Sequence, residues 1–176
     1  EASLLYFAVE AENIELVQLL VCIPEVDVNT TSIIYFFDDK DGKKRMKKQR
    51  TVLSIAVEKE SIDILQCLLS RQDIDINAKD SIVQEYLYDV YQDDKKIDFV
   101  YKEIKHTVLY IALKNNKKKI VNFLLENSGI NVNYIYAYYW HSPSHGEHKY
   151  ETTALTVTIQ SGYIDNIQIL LSRSDL

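Results

Sequence analysis

Cysteine is scarce in this 176-residue chain. Cys22 and Cys67 are the only two, so no disulfide framework is possible. Glycine and proline are few as well, at four and two residues. That excludes collagen-like and Gly/Ser-linker proteins and disfavours a glycine-rich phosphate loop. Positive charge is in deficit, with 20 Lys+Arg against 26 Asp+Glu for a net −6. Such a balance argues against a general nucleic-acid coat and against a polybasic membrane anchor. No apolar run approaches the roughly 20 residues that a membrane helix needs, and no signal peptide opens the chain. The remainder is ordinary: 47% apolar and 26% charged, in a length that can bury a core without staples. Two residue types are abundant instead, with 13 Tyr and 20 Ile.

An internal repeat organises the chain. Segments starting at Ser3, Thr51, Thr107 and Thr153 align without internal gaps. With the Ser/Thr as position zero, +2 is Leu5, Leu53, Leu109 and Leu155, and +5 is Ala8, Ala56, Ala112 and Thr158. Position +14 is Val17, Leu65, Val121 and Ile167, and +17 is Leu20, Leu68, Leu124 and Leu170. Position +26 is Asn29, Asn77 and Asn133, each closing an Asp/Asn–Val/Ile–Asn triplet. The spacing predicts two helices per unit, a short one from about +1 to +9 and a second from about +11 to +20. The second carries apolar residues at +11, +14, +17 and +18, a wide stripe that one unit cannot bury alone. Units stacked side by side bury it continuously. Asn13 and Ser61 are predicted N-caps of second helices, with Glu15 and Asp63 in the first turn, where carboxylates suit the helix dipole.

The pattern resembles the ankyrin repeat, whose signature is T-P-L-H-x-A, a Gly, L-E-I-V-x-L-L-L and then D-V-N. The matching stretches are TVLSIAVEKESIDILQCLLS with DIDIN, and SLLYFAVEAENIELVQLLV with VDVN. Departures from it are specific. The Pro at +1 is Leu4, Val52, Val108 or Ala154, and the His at +3 is Tyr6, Ser54, Tyr110 or Thr156. The inter-helix Gly survives only as Gly162, Lys118 and Asn166 occupy usually apolar positions, and Thr158 replaces a small Ala. These changes predict altered turn contacts and lower local stability. The resemblance implies a mostly α fold, an ankyrin-repeat solenoid of helix pairs with extended β-hairpin fingers between repeats. The repeat cores are 3–29, 51–77, 107–133 and an incomplete 153–176, forming one array over 1–176 that is expected to continue beyond both ends.

Repeat starts lie 48, 56 and 46 residues apart, against about 33 in the ankyrin repeat. The surplus falls in three finger insertions, 30–50, 78–106 and 134–152. Each has β-branched and aromatic runs around a polar middle, which predicts hairpins that pair sideways into a ribbon. The insertions hold 10 of the 13 Tyr in 69 residues, with Phe36, Phe37, Phe99 and Trp140. Aromatics there serve either as cross-strand pairs or as a binding surface. In the first insertion, Lys43–Arg50 has six basic residues in eight. It reads either as a solvated strand with edge lysines that block aggregation or as a contact for phosphate, an acidic partner or nuclear import. His141, His145 and His148 have a spacing that zinc can use, but no cysteine lies near. Exposed loop histidines are the simpler reading, and no metal or cofactor is assigned. Cys22 and Cys67 read as reduced, packed thiols. Asp38–Gly42 lacks the ligand spacing of a calcium loop, and neither a P-loop nor a nucleophile elbow is present.

The resemblance implies a protein–protein interaction module or scaffold without catalysis of its own. Alternatives are a scaffold segment of a larger enzyme or channel, and a nucleic-acid or acidic-partner contact through the basic first finger. Ankyrin partners usually meet the finger tips and the ends of the first helices. Carried over by position, these are Glu10, Arg50, Glu58, Lys59, His106, Lys114, Asn115, Gln160 and Ser161 on a concave face. Expected finger contacts are Tyr35, Lys44, Arg45, Lys47, Tyr88, Tyr138 and Trp140. The partner is expected to be another protein, with no membrane insertion, nucleic acid disfavoured, and the chain monomeric within a longer array. An intracellular, cytoplasmic setting is expected, with nuclear entry the alternative.

Overall fold

The apolar positions of each repeat fall where helices bury them. The structure, a computed structural model, describes residues 3–37, 44–86, 90–92, 95–97, 100–142 and 146–176. Four helix pairs follow in order: α1 (Leu4–Glu10) with α2 (Ile14–Val21), α3 (Val52–Lys59) with α4 (Ile62–Leu69), α5 (Val108–Lys114) with α6 (Lys118–Leu125), and α7 (Ala154–Ser161) with α8 (Ile164–Leu171). Ser3, Thr51 and Thr153 cap the first helices, each hydroxyl accepting the N–H three residues on at 3.1–3.3 Å. Asn13 caps α2 in the same way at 3.0 Å. Ser61 stands at the N-cap of α4 but makes no side-chain cap bond. Between the two helices of every pair the backbone turns through the left-handed region, at Glu12 (φ 54), Glu60 (φ 58), Asn116 (φ 54) and Gly162 (φ 71). Glycine takes that conformation without a Cβ penalty; three of these four positions carry a side chain instead.

The first helices stack in a row, α1 on α3, α3 on α5 and α5 on α7, while α2 packs on α4 and α6 on α8. Leu5, Leu53 and Leu109 are buried in this core with Val17, Leu65 and Val121. The fourth unit is looser, with Leu155 and Ile167 only half-buried. Thr158 is fully buried and satisfies its hydroxyl on the Ala154 carbonyl at 2.7 Å. Asn166 is also fully buried, and its Oδ1 has no partner.

The closing asparagines tie one unit to the next. Asn29 donates to the Asp73 carbonyl and accepts from the Asp75 N–H, both at 2.7 Å. Asn77 does the same with the Gly129 carbonyl and the Asn131 N–H, both at 2.8 Å. Asn133 donates to the Asp175 carbonyl. An amide suits this position because it offers donor and acceptor together. Arg71 adds a second tie: its guanidinium reaches the carbonyls of Val21, Ile23, Pro24 and Val26 at the end of α2 and is oriented by Asp73 at 2.7 Å.

The fingers correct the expected fold class. A mostly α solenoid with extended β-hairpin fingers between repeats, pairing sideways into a ribbon, was expected. Instead β1 (Thr31–Phe37), β2 (Lys44–Thr51), β3 (Asp80–Tyr86), β6 (Val100–His106), β7 (Tyr136–Ser142) and β8 (Gly146–Thr152) form one six-stranded antiparallel sheet in that order. Between β3 and β6, β4 (Val90–Gln92) and β5 (Lys95–Ile97) make a small ladder of their own. Strand is thus a major component beside the helices, and the chain is not plainly a helical solenoid. The reason is that stacking brings neighbouring fingers side by side. The second strand of each finger then pairs with the first strand of the next, satisfying backbone groups that a lone hairpin leaves open. This also corrects one reading of the basic run. Strand β2 lies between β1 and β3, so its lysines do not guard an edge.

Candidate functional site

Strand alternation gives the sheet two faces. The register places Ser32, Arg50, Asp80, His106, Tyr136 and Thr152 in one row across all six strands, at the helix-proximal end. The next rows of the same face are Ile34, Lys48, Ile82, Ile104, Tyr138 and Tyr150, then Phe36, Met46, Gln84, Lys102, Trp140 and His148. This is the inner face, turned toward the first helices. The Tyr138 and Tyr110 hydroxyls meet, Gln160 donates to the Tyr150 hydroxyl at 3.1 Å, and Arg50 pairs with Glu58 at 2.5 Å. Tyr35, Lys47, Tyr139 and His141 belong to the outer face.

The helix-proximal row is a buried polar seam. Asp80 Oδ1 accepts from the Thr51 N–H at 2.8 Å and from its hydroxyl at 3.1 Å. Burial pushes the Asp80 carboxyl up to about 6 against the pull of its hydrogen bonds and of Arg50. Its register partner His106 is buried too, and is held down to about 4, first by burial and then by Lys114, Arg50 and Lys48. In the next finger the Tyr136 hydroxyl meets the Thr107 hydroxyl at 3.1 Å, the place that Asp80 takes on Thr51. Burial pushes the Tyr136 phenol up to about 12.

Beyond this seam the inner face opens into a cleft of about 470 Å³. Its walls are Lys102 on β6, Tyr138 and Trp140 on β7, Tyr150 and Thr152 on β8, Tyr110 and Lys114 on α5, and Val157, Gln160 and Ser161 on α7. Trp140 stacks on His148 at 4.4 Å, Tyr138 leans on Tyr150 at 6.0 Å, and the Lys114 ammonium sits 5.5 Å from the Tyr110 ring centre. Half-exposed aromatics and two cations converge here, a composition suited to recognition.

The residues named from sequence divide. Lys114, Gln160, Ser161, Tyr138 and Trp140 come together in the cleft. Asn115 is exposed at the C-cap of α5. Glu10 and Lys59 face each other across units at 3.9 Å, and Arg50 and Glu58 neutralise each other. His106 is buried and offers no surface. Tyr35 and Lys47 oppose each other on the outer face, away from the cleft. In backbone register Lys44 lies opposite Tyr86, and Arg45 opposite Phe37 and Glu85. Of the described side chains of the basic run, Lys47 lies on the outer face and Lys48 and Arg50 on the inner face. Tyr88, His145 and the Asp38–Gly42 segment lie outside the described residues. Sequence reasoning passed over Lys102 and treated Tyr110 and Tyr150 only as repeat or insertion residues; the period-2 register from Tyr138 was the signal that would have found the strand residues. His141 and His148 stand on opposite faces, so they do not converge on one ion. Among the described residues no group of three or more His, Cys, Asp or Glu gathers as a metal site, and no helix is long and apolar enough to cross a membrane.

Two family models match the chain. One, described as ankyrin repeats in three copies, covers residues 81–176, and another, for a single ankyrin repeat, covers 48–81. No curated protein matches it. Ankyrin repeats generally bind other proteins and are typically non-catalytic. With the four helix pairs and their asparagine ties, these matches place the chain in a family: it belongs to the ankyrin repeat proteins.

Proposed function

We propose that this chain is a protein-interaction module, without catalysis of its own, that holds its partner between the first helices and the inner face of the sheet. The observation that carries the reading is the cleft. Two of its finger aromatics remain part-exposed although the sheet around them is continuous, with Trp140 at 38% and Tyr150 at 50%. Rigid aromatic side chains supply contact area at little entropic cost, which is why they anchor interfaces. The long fingers extend this face well past the helix ends, so finger residues carry recognition together with Lys114, Gln160 and Ser161.

The test is site-specific photo-crosslinking of the chain in cell extract. A crosslinker at Tyr150 is expected to capture a protein, while one at Tyr139, on the outer face of the same hairpin, is expected to capture none. Capture from Tyr139 alone would overturn the assignment of the inner face.

A further inference from the structure

The sheet sorts its charges by face. Among the described side chains of the inner face the cations are Lys48, Arg50 and Lys102. The sole carboxylate there is Asp80, buried and engaged with Thr51. The outer face is mixed and self-compensated, with Lys105 on Glu103 at 3.2 Å and Lys149 on Glu151 at 2.5 Å. The helix side of the cleft adds Lys114 and no acid. Neither Lys102 nor Lys114 has a carboxylate partner among the described residues. The nearby helix-end acids are taken: Glu58 by Arg50 at 2.5 Å and Glu60 by Lys117 at 2.6 Å. Burial is the first cause of the lowered basicity of His106, and Lys114, Arg50 and Lys48 add to it. In a chain of net −6 this is a local reversal of sign.

We infer that the cleft takes an extended acidic polypeptide segment, with carboxylates on Lys102 and Lys114 and a bulky apolar side chain against Trp140 and Tyr150. The inference rests on the reading of this face as the partner-binding surface. Charge complementarity chooses the sign, because two cations on one cleft with no carboxylate between them favour an incoming anion. The aromatics choose the second element, since they offer flat apolar area beside the charge. A nucleic-acid strand fits less well. It needs a continuous path of cations, whereas the first-helix ends of the first two units carry Glu10, Glu12 and Glu58.

Trp140 is the only tryptophan, so its emission reports occupancy directly. The experiment selects a displayed library of random 12-residue peptides on the whole chain, then titrates the enriched peptides by Trp140 fluorescence. Peptides combining Asp or Glu with an aromatic residue are expected, and they should move the emission and bind more weakly as salt rises. Lys102→Glu with Lys114→Glu should weaken them at least about tenfold, while the double Arg variant keeps binding. Both lysines are solvent-accessible, and an unchanged urea midpoint verifies that the variants fold. Neutral or basic peptides that still move Trp140 would overturn the acidic assignment and leave the binding face standing. If no selected peptide moves Trp140, both readings fall. Tighter binding of a single-stranded oligonucleotide than of any selected peptide would overturn the polypeptide assignment.

Discussion

Asp80 holds Thr51 by two hydrogen bonds, one from the backbone N–H at 2.8 Å and one from the hydroxyl at 3.1 Å. The same hydroxyl accepts the Ser54 N–H at 3.1 Å, so one contact joins the second finger to the cap of α3. Both partners are buried. Removing the acceptor strands two buried donors, and Asp80→Ala should cost about 2–3 kcal/mol. Asp80→Asn keeps one acceptor oxygen and should cost less. Urea unfolding of the two variants against the parent checks the order.

Asp80 and His106 titrate in opposition, so together they should change stability little between about pH 7 and 4. The Asp80 carboxyl is raised by folding to about 6, so between about pH 6 and 4 the folded state takes up a proton that the unfolded chain does not, and stability rises as pH falls. His106 is lowered to about 4, so the unfolded chain takes the proton first, and stability falls as pH drops from about 6.5 to 4. His106→Phe leaves the Asp80 contribution alone and should gain about 2–3 kcal/mol relative to the parent between about pH 7 and 4. Asp80→Asn should lose a similar amount over the same range. Denaturant midpoints taken across that range show whether the two slopes have opposite signs.

Glycine at the helix-to-helix turns should stabilise. Glu12 and Glu60 adopt φ 54 and 58, where a Cβ costs about 1 kcal/mol or more. Glu12→Gly loses only a loose contact with Lys59 at 3.7 Å and should gain about 1 kcal/mol. Glu60→Gly also gives up the 2.6 Å pair with Lys117 and should gain less. Thermal melts of the two variants rank them.

The buried amide in α8 should be improvable. Asn166 donates to Asn116 at 3.2 Å, but its Oδ1 stays without a partner at full burial. Ile64 and Ile120 occupy the same repeat position and are buried. Asn166→Ile should raise stability by about 1–2 kcal/mol and slow amide exchange through α8. Exchange that stays fast there would show that the amide is better satisfied than it looks.

Helix-pair positions were legible in the chain because every unit buries the same stripe. Leu53, Leu65 and Leu68 recur at fixed spacing, and so does Asn77, whose two bonds to the next unit give that recurrence its physical reason. Left-handed turns were foreshadowed by the missing glycines, but that Glu12 and Glu60 keep that backbone is decided only in the folded chain. The site was only partly legible. Tyr138 and Trp140 were named from composition, and Lys114 from its repeat position, with nothing in either to join them to Lys102 or Tyr150.

By itself, the sequence determined the repeat, the helices, the Asn13 cap and the strand-forming character of the fingers. All of these depend on neighbours within about one unit. Tertiary structure decided which finger strands pair, and so turned three hairpins into one sheet. It decided which face of each strand looks inward, because a one-residue slip in register exchanges the two faces. That choice sends Tyr35 and Lys47 outward, brings Lys102 and Trp140 inward as register partners, and sets Asp80 opposite His106. Pairing between fingers joins residues 32 to 42 apart, such as Gln49 with Ser81 and Lys44 with Tyr86; it is settled by how the helix pairs stack, and no local pattern carries that information.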